Sequence, residues 1–465
     1  MPRVGLLSLI WVVVGYFSIL DFGLGPAVTK TVSEALAAGD NDKVARLYRA
    51  AQRMQLVMGL AGGVIMAAFA ERLVTSVLSV PTELRPEALL SVYLCAVAFP
   101  FVLLTSSASA MLQAARRFDA INLVQAPLGI GQFVLPLVCV IWTRNLGVIV
   151  AVLLISRIIA LVSLSIAVRH LVPLGSAKRS QQGNELRSLI SFGGWVSISN
   201  IISPLMVYAD RFLIGSLQAI SSVAYYSVPS DATLRLLIVP RSLASAMFPE
   251  FSATRDNQRL KDLLLRSVRY ILLLVGIPSL ILFFAAHEVM SVWLGEGFAM
   301  RSATVLQILL PGIVANSIAQ IPFSVIQATG RPDLTAKMHL SEFLPYVLAL
   351  YMATKAWGIE GAAFAWSLRV IVDTTVLFYL ARRRLGLSVT DFVGHRIPQL
   401  AGTLGALAVV SFGFHAMAGR LSQQWVAAIF LTVVLISIGW GVFVTAAERA
   451  RVLETVSPRF IRRAV

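Results

Sequence analysis

The chain has 465 residues, of which 57% are hydrophobic and only 13% are charged, and its mean hydropathy is +0.80. A soluble protein of this length carries about twice that share of charge, so the composition excludes a soluble enzyme, a disordered chain and a nucleic-acid-binding module. The formal net charge of +16 does not indicate DNA binding, because the basic residues lie in short loops between apolar runs, as in membrane proteins. Cys95 and Cys139, the two cysteines, lie inside apolar runs, which predicts neither a disulfide framework nor a metal cluster.

Thirteen apolar runs are each long enough to cross a bilayer as a helix, which takes about 20 residues. We number them spans 1 to 13 in chain order, and they occupy residues 4–20, 54–75, 89–113, 122–143, 146–168, 189–215, 222–249, 268–293, 303–327, 335–357, 358–384, 397–419 and 425–447. Gly62 and Gly63 in span 2 predict a close contact between helices. The predicted fold class is therefore an all-α polytopic membrane protein with about 13 transmembrane helices.

Basic residues are concentrated in the loops on one side of the predicted spans, and this bias predicts the orientation of the chain. Loops 28–53, 169–188 and 250–269 and the tail 448–465 are rich in Lys and Arg. The bias places these segments, and with them the C-terminus, in the cytoplasm, and the N-terminus outside. The opposite ends of the spans carry tryptophans, as an interfacial aromatic belt does: Trp142, Trp293, Trp357 and Trp425.

The exits of spans 3 and 9 share a sequence pattern. Gln113, Ala114, Arg117 and Asp119 recur in the same register as Gln327, Ala328, Arg331 and Asp333. The two exits are six spans apart, an even number, so we predict a parallel repeat about an axis along the membrane normal. This register leaves span 6 without a counterpart in the first repeat, and we therefore expect one N-terminal helix to be absent from the chain.

The repeat predicts two pseudo-symmetric six-helix lobes, with the first helix missing, and two further helices at the C-terminal end. Residues 1–188 form the predicted N-terminal lobe with five helices, and residues 189–396 form the C-terminal lobe with six. Residues 397–465 hold the two extra helices and a basic cytoplasmic tail.

Charged residues inside the spans are the candidates for function, because a charge at the centre of a membrane helix costs roughly 3 kcal/mol on insertion scales. Two pairs have the i, i+4 spacing that allows an ion pair along one helix face, namely Asp231 with Arg235 and Arg369 with Asp373. We interpret each either as a structural ion pair or as part of a site. The residues deep in the spans are Arg157, Asp231, Arg235, Arg241, Glu342, Arg369 and Asp373. Asp210 and Arg211 lie nearer an outer end of their span. His339 lies near a span end, where we expect it to be at the membrane interface.

Four motifs in the same order resemble those of a known family. Asp21-Phe22-Gly23-Leu24-Gly25, after span 1, resembles the Asp-Leu-Gly-Leu-Gly signature of the polysaccharide repeat-unit (Wzx-like) flippases, within the multidrug/oligosaccharidyl-lipid/polysaccharide exporter superfamily. In this motif we interpret Asp21, Gly23 and Gly25 as cap and turn residues. The segments 210–215, 248–251 and 326–332 resemble three later elements of the family. The family has fourteen helices, one more than the thirteen spans here.

The resemblance implies a transporter, not an enzyme, in the bacterial inner membrane. Its cargo would be an anionic oligosaccharide linked to a lipid such as undecaprenyl diphosphate, moved from the inner to the outer leaflet by alternating access. Guanidinium groups suit this headgroup, because they stay charged and grip phosphate oxygens bidentately. We expect a cationic cavity formed by Arg157, Arg235, Arg241, Arg369 and Arg211, with Glu342, Asp231 and Asp373 as counter-ions or as coupling groups for H⁺ or Na⁺.

Further expectations concern partners and cofactors. Membrane lipids and other membrane proteins of a polysaccharide pathway are the expected partners beside the lipid-linked glycan, and nucleic acid is not. Apart from a coupling ion, no cofactor or metal is expected.

Two alternative functions remain open at this stage. The first is a cation or drug antiporter of the same superfamily, which requires an acidic and aromatic cavity. The second is a non-transporting membrane component of a polysaccharide pathway, such as a polymerase. A polymerase needs a long polar outer loop, whereas the longest outer loop predicted here is the short segment around 76–88.

Overall fold

The computed structural model describes residues 23–77, 80, 82–143, 145–175, 182–218 and 220–417, and all regular structure within these residues is helical. The α-helices of this part of the chain are α1 (Leu24–Ala37), α2 (Asn41–Arg72), α3 (Arg85–Ala114), α4 (Phe118–Trp142), α5 (Leu146–Leu171), α6 (Gln182–Leu217), α7 (Ile220–Leu234), α8 (Ile238–Ala253), α9 (Asn257–Ile271), α10 (Ile277–Phe284), α11 (Ala286–Leu294), α12 (Glu296–Ala328), α13 (Pro332–Leu385), α14 (Val389–Gly394) and α15 (Ile397–Met417). The predicted all-α membrane fold is confirmed.

Seven of the described helices are long and apolar enough to span a membrane, or eight if the bent α4 is counted as one span. Predicted spans 2 to 12 fall on described helices, and α13 carries both span 10 and span 11, because Gly358 (φ 62°, ψ −138°) breaks it into two. Spans 1 and 13 lie outside the described residues. The total of thirteen therefore stays a prediction.

The chain divides into two compact units. The first comprises the chain up to Ser203 together with Ala246–Ala253 and Gln327–Lys337. The second comprises Pro204–Ser245, Thr254–Ile326 and the chain from Met338 onward. Four of the five divisions fall inside helices, and the one between Ala253 and Thr254 falls at the end of α8. The lobe boundaries at residues 188 and 396 stay predictions.

Small residues allow α2 and α3 to pack closely in the first unit. A Cβ atom on Gly59 would lie 2.5 Å from the Cα of Pro100, and one on Gly63 would lie 2.6 Å from the carbonyl oxygen of Ala96. The two glycines are one turn apart, the spacing of a Gly-x-x-x-Gly contact. The ring of Phe99 likewise lies against Gly62. The helix contact predicted from Gly62 and Gly63 is confirmed.

Gly23 shows why the first motif requires glycine. Its φ of +66° lies in the left-handed region, and a Cβ there would lie 2.6 Å from both the carbonyl oxygen of Gly193 and the Cβ of Val196. The residue thus sets the start of α1 against α6. Gly25, the second residue of α1, is buried, and Asp21 lies outside the described residues.

The two turns with the repeated sequence also share their hydrogen bonds and backbone conformation. Arg117 holds Asp119 with two hydrogen bonds of 3.1 and 2.8 Å, and Arg331 holds Asp333 with two of 2.9 and 3.0 Å. The residue before each arginine has a positive φ, 59° at Arg116 and 85° at Gly330. The turns after α3 and α12 therefore have the same local geometry.

Candidate functional site

Asp210 is a buried carboxylate whose two oxygens both accept hydrogen bonds. It lies on the part of α6 that belongs to the second unit, and only 1% of its surface is exposed. The hydroxyl of Tyr226 on α7 donates to Oδ2 at 2.5 Å, and the backbone N–H of Arg211 donates to Oδ1 at 2.7 Å. A buried charge needs such partners, so Asp210 acts as an anchor between α6 and α7.

Arg211 pairs with Asp231 across the same two helices. Its Nη2 lies 2.6 Å from Oδ1 of Asp231, and its guanidinium carbon lies 5.2 Å from the ring centroid of Tyr208. The i, i+4 pair predicted between Asp231 and Arg235 is wrong. A 3₁₀ turn at Arg235–Leu237 interrupts the helix there, and its three residues per turn displace the two side chains from one face.

Arg369 on α13 is the cation of a second cluster in the same unit. Its guanidinium carbon lies 5.2 Å from the ring centroid of Tyr346, and its Nη1 donates to the sulfur of Met206 at 3.5 Å. It interacts electrostatically with the carboxylates of Asp210, Glu342 and Asp373. Among the described residues it makes no direct ion pair with Asp373, so the second predicted i, i+4 pair is not formed.

Several polar atoms of this cluster are buried and lack a hydrogen-bond partner among the described residues. They are both carboxylate oxygens of Glu342, Oδ1 of Asp373, Nε of Arg369 and the hydroxyl of Tyr346. Buried polar atoms are normally hydrogen-bonded, and each one left unpaired costs about 1–3 kcal/mol. Glu342 and Asp373 therefore present unpaired carboxylate oxygens beside Arg369.

The sequence analysis did not predict that His339, Tyr226 and Tyr346 belong to the site. His339 is 7% exposed, and its ring stacks on Phe323 with centroids 5.7 Å apart. Its interfacial depth in the membrane stays a prediction. A signal was present, because His339, Glu342 and Tyr346 are spaced i, i+3 and i+7 and so share one helix face. Tyr226 had no such signal, since its partner Asp210 lies on another helix.

The remaining arginines lie apart from these contacts. Arg157 is half-buried on α5, in the first unit, whereas Arg235 and Arg241 are exposed in the second. In the part of the chain that the structure describes, none of the three forms an ion pair. Nor does that part contain a group of three or more His, Cys, Asp or Glu side chains suited to hold a metal ion.

Residues 4–302 match the protein family described as polysaccharide biosynthesis protein. The chain belongs to this family. A Shigella flexneri protein named provisionally as an O-antigen transporter is 29% identical over 380 residues, which cover 82% of this chain and 90% of the relative. A Haloferax volcanii protein named provisionally as the low-salt glycan biosynthesis flippase Agl15 is 27% identical over 195 residues, 41% of each chain. The resemblance to polysaccharide flippases is thus confirmed.

Solved structures share the fold. A crystal structure of a MATE P26A mutant matches with a TM-score of 0.70 at 15% sequence identity, covering 83% of this chain and 89% of the other. A MOP superfamily transporter from Pyrococcus furiosus matches with a TM-score of 0.67 at 14% identity, covering 83% and 88%. At these identities the likeness concerns the fold alone, and it identifies the chain as a multi-pass membrane protein of this architecture.

Proposed function

We propose that the protein flips an anionic lipid-linked oligosaccharide, of the undecaprenyl-diphosphate class, from the inner to the outer leaflet by alternating access. The observation that carries the proposal is family membership over residues 4–302, together with a relative of similar length that is named for O-antigen transport. The proposed location is the bacterial inner membrane with the C-terminus in the cytoplasm, in agreement with the basic loops. Transport, not bond chemistry, is the proposed activity.

The described contacts divide the expected cationic residues into two groups. Arg211 and Arg369 are engaged with carboxylates of the second unit. Arg157 carries its charge at membrane depth with no ion pair among the described residues, where a charge is costly unless it serves a partner. We therefore assign the headgroup contact to Arg157, and we assign Arg369 to the cluster that it forms with Asp210, Glu342 and Asp373.

We propose that the carboxylates beside Arg369, those of Asp210, Glu342 and Asp373, form the coupling site. Each oxygen of Asp210 accepts one hydrogen bond, whereas Glu342 and Asp373 retain unpaired buried oxygens. Two like charges beside a single guanidinium favour the uptake of a cation. We propose H⁺ as the coupling ion, because a carboxylate with an unpaired oxygen can take up a proton without further ligands.

Reconstitution in liposomes tests the headgroup assignment. A fluorescent oligosaccharide on polyprenyl diphosphate is loaded in one leaflet, and its arrival in the other is followed by quenching. We expect Arg157→Ala to slow flipping about tenfold to a hundredfold, since a charge-assisted hydrogen bond contributes about 1.5–3 kcal/mol. Arg157→Lys should lose less. Lys355→Ala, an exposed cation on α13, is the control. Unchanged flipping in Arg157→Ala would remove Arg157 from the site.

One observation favours the cation or drug antiporter as a second candidate. The cluster around Arg369 holds three carboxylates and the aromatic rings of Tyr226 and Tyr346, and acidic, aromatic surroundings suit organic cations. Efflux of a cationic dye from the same proteoliposomes distinguishes the two candidates.

A further inference from the structure

A groove runs between α4 and α5 on the surface of the first unit. The residues that line it all lie within 117–171, and its volume is about 880 Å³, within the range of about 300–1,000 Å³ found for sites of small ligands. Its apolar walls include Leu123 and Ile159, which are 78% and 60% exposed. Exposed apolar walls on a membrane-spanning chain face lipid, so the groove opens to the hydrocarbon.

Small residues on both helices make room for the groove. On α4 it passes over Gly131, where the nearest side chain that an added Cβ would meet is Leu135 of the same helix, at 3.4 Å. On α5 it passes over Ala160, Ser163 and Ala167, which are spaced i, i+3 and i+7 and therefore share one helix face. The groove exists because none of these positions carries a side chain long enough to fill it.

The length of the groove matches one leaflet of a bilayer. Along α5 its lining runs from Ser156 to Leu171, a rise of about 22 Å at 1.5 Å per residue. Half a bilayer, headgroups included, measures about 20–22 Å. Leu171 is the last residue of α5, on the side predicted to be cytoplasmic. The groove therefore fits a lipid of the cytoplasmic leaflet.

The mouth of the groove, at the same end, carries one cation and one anion, Arg117 and Asp119. Their side chains are 38% and 65% exposed. The two hydrogen bonds between them use Nε and Nη2 of Arg117, and Nη1 takes no partner among the described residues. Arg169, near the end of α5, lies two residues from Ala167 and interacts electrostatically with Tyr48 of α2, so it lies on the side of α5 away from the groove.

We propose that this groove binds a zwitterionic phospholipid of the cytoplasmic leaflet, a phosphatidylethanolamine, with an acyl chain between α4 and α5 and the headgroup over Arg117 and Asp119. The guanidinium donates to the phosphate, a geometry that suits it, and the primary ammonium of the lipid donates to the carboxylate. A phosphatidylglycerol offers only the phosphate, whose charge Asp119 repels. The residues assigned to cargo and coupling do not line the groove, so the proposal does not rest on transport.

Photolabelling of the purified protein locates the bound lipid. The protein is placed in nanodiscs of phosphatidylcholine that contain a trace of phosphatidylethanolamine with a diazirine on one acyl chain, and the labelled peptides are identified by mass spectrometry after irradiation. We expect the label on α4 and α5. Unlabelled phosphatidylethanolamine in excess should remove it, whereas phosphatidylglycerol with the same acyl chains should remove much less.

Two pairs of variants test the groove and its mouth separately. Gly131→Leu places a side chain inside the groove and should lower the labelling at least about fivefold. Gly129→Leu, on the same helix but outside the lining, should leave it unchanged. Asp119→Asn should lower the labelling about twofold to fivefold and remove the preference over phosphatidylglycerol, whereas Asp333→Asn in the matched turn should do neither.

Three results would overturn the proposal. The first is label spread evenly over the lipid-facing helices, and the second is equal competition by phosphatidylglycerol and phosphatidylethanolamine in the parent protein. The third is removal of the label by a polyprenyl phosphate but not by phosphatidylethanolamine, which would assign the groove to the lipid tail of the cargo. The competition series needs no variant, so it decides the matter even if a substitution impairs folding.

Discussion

Tyr226 donates a hydrogen bond of 2.5 Å to Asp210, and both residues are almost fully buried. The bond joins α6 to α7 in the second unit, beside the Arg369 cluster. With the backbone N–H of Arg211 on its other oxygen, Asp210 has both oxygens hydrogen-bonded, whereas Glu342 and Asp373 retain unpaired buried oxygens.

Removing this donor should destabilise the protein. Tyr226→Phe leaves an oxygen of a buried carboxylate without its partner, and we expect a loss of about 1–3 kcal/mol in the free energy of unfolding, measured by denaturation in detergent micelles. Tyr225→Phe, the neighbouring tyrosine whose ring packs on Phe298, is the control and should change little. Equal effects of the two variants would contradict the anchoring role of Asp210.

Neutralising the unpaired carboxylates should uncouple transport from the ion gradient. In Glu342→Gln and Asp373→Asn the side chain no longer takes up a proton, so gradient-driven flipping should fall at least about fivefold, while exchange without a gradient continues. The measurement compares flipping with and without an imposed pH difference. Glu360→Gln, an exposed carboxylate on α13, serves as the control. Full gradient dependence in both site variants would exclude the coupling role.

The Arg211–Asp231 pair should show a small but specific coupling energy. The carboxylate is 56% exposed and the guanidinium 24% exposed, so the pair contributes no more than about 1 kcal/mol. A double-mutant cycle with Arg211→Ala and Asp231→Ala measures it. The parallel cycle with Arg235→Ala and Asp231→Ala should give no coupling. Coupling of Asp231 to Arg235 instead would mean that the helical pair forms in the membrane.

Gly23 should tolerate alanine much less than Gly39 does. Both have a positive φ, +66° and +72°, but a Cβ on Gly23 would clash with Gly193 and Val196, whereas Gly39 has open space around it. Gly39→Ala should cost only the backbone strain, about 1–2 kcal/mol. Thermal unfolding of the two variants checks this, and equal losses of stability would show that the close approach of α1 to α6 is unimportant.

The fold was predictable because the length of each apolar run can be counted directly in the sequence. Spans 2 to 12 fall on described helices, since a run of about 20 apolar residues admits few other structures. The interruptions were not visible in the same way. The 3₁₀ turn at Arg235–Leu237 and the break at Gly358 depend on backbone angles that composition does not report.

The candidate site was predictable as a set of residues but not as a set of contacts. Charge inside the apolar spans singled out Arg211, Asp231, Glu342 and Arg369, because a charge in a membrane helix is costly whatever its neighbours are. Which partner each residue has depends on another helix. Asp231 therefore pairs with Arg211, twenty residues away in the chain. The i, i+4 spacing within one helix had predicted Arg235 as its partner.

The most direct test of the account is the choice of cargo by the purified protein in proteoliposomes. A fluorescent oligosaccharide on polyprenyl diphosphate and a cationic dye are supplied separately under the same imposed pH difference, and the transfer of each is followed over time. We expect rapid transfer of the lipid-linked oligosaccharide, slowed about tenfold to a hundredfold in Arg157→Ala, and no transport of the dye. Transport of the dye without transfer of the oligosaccharide would contradict the account.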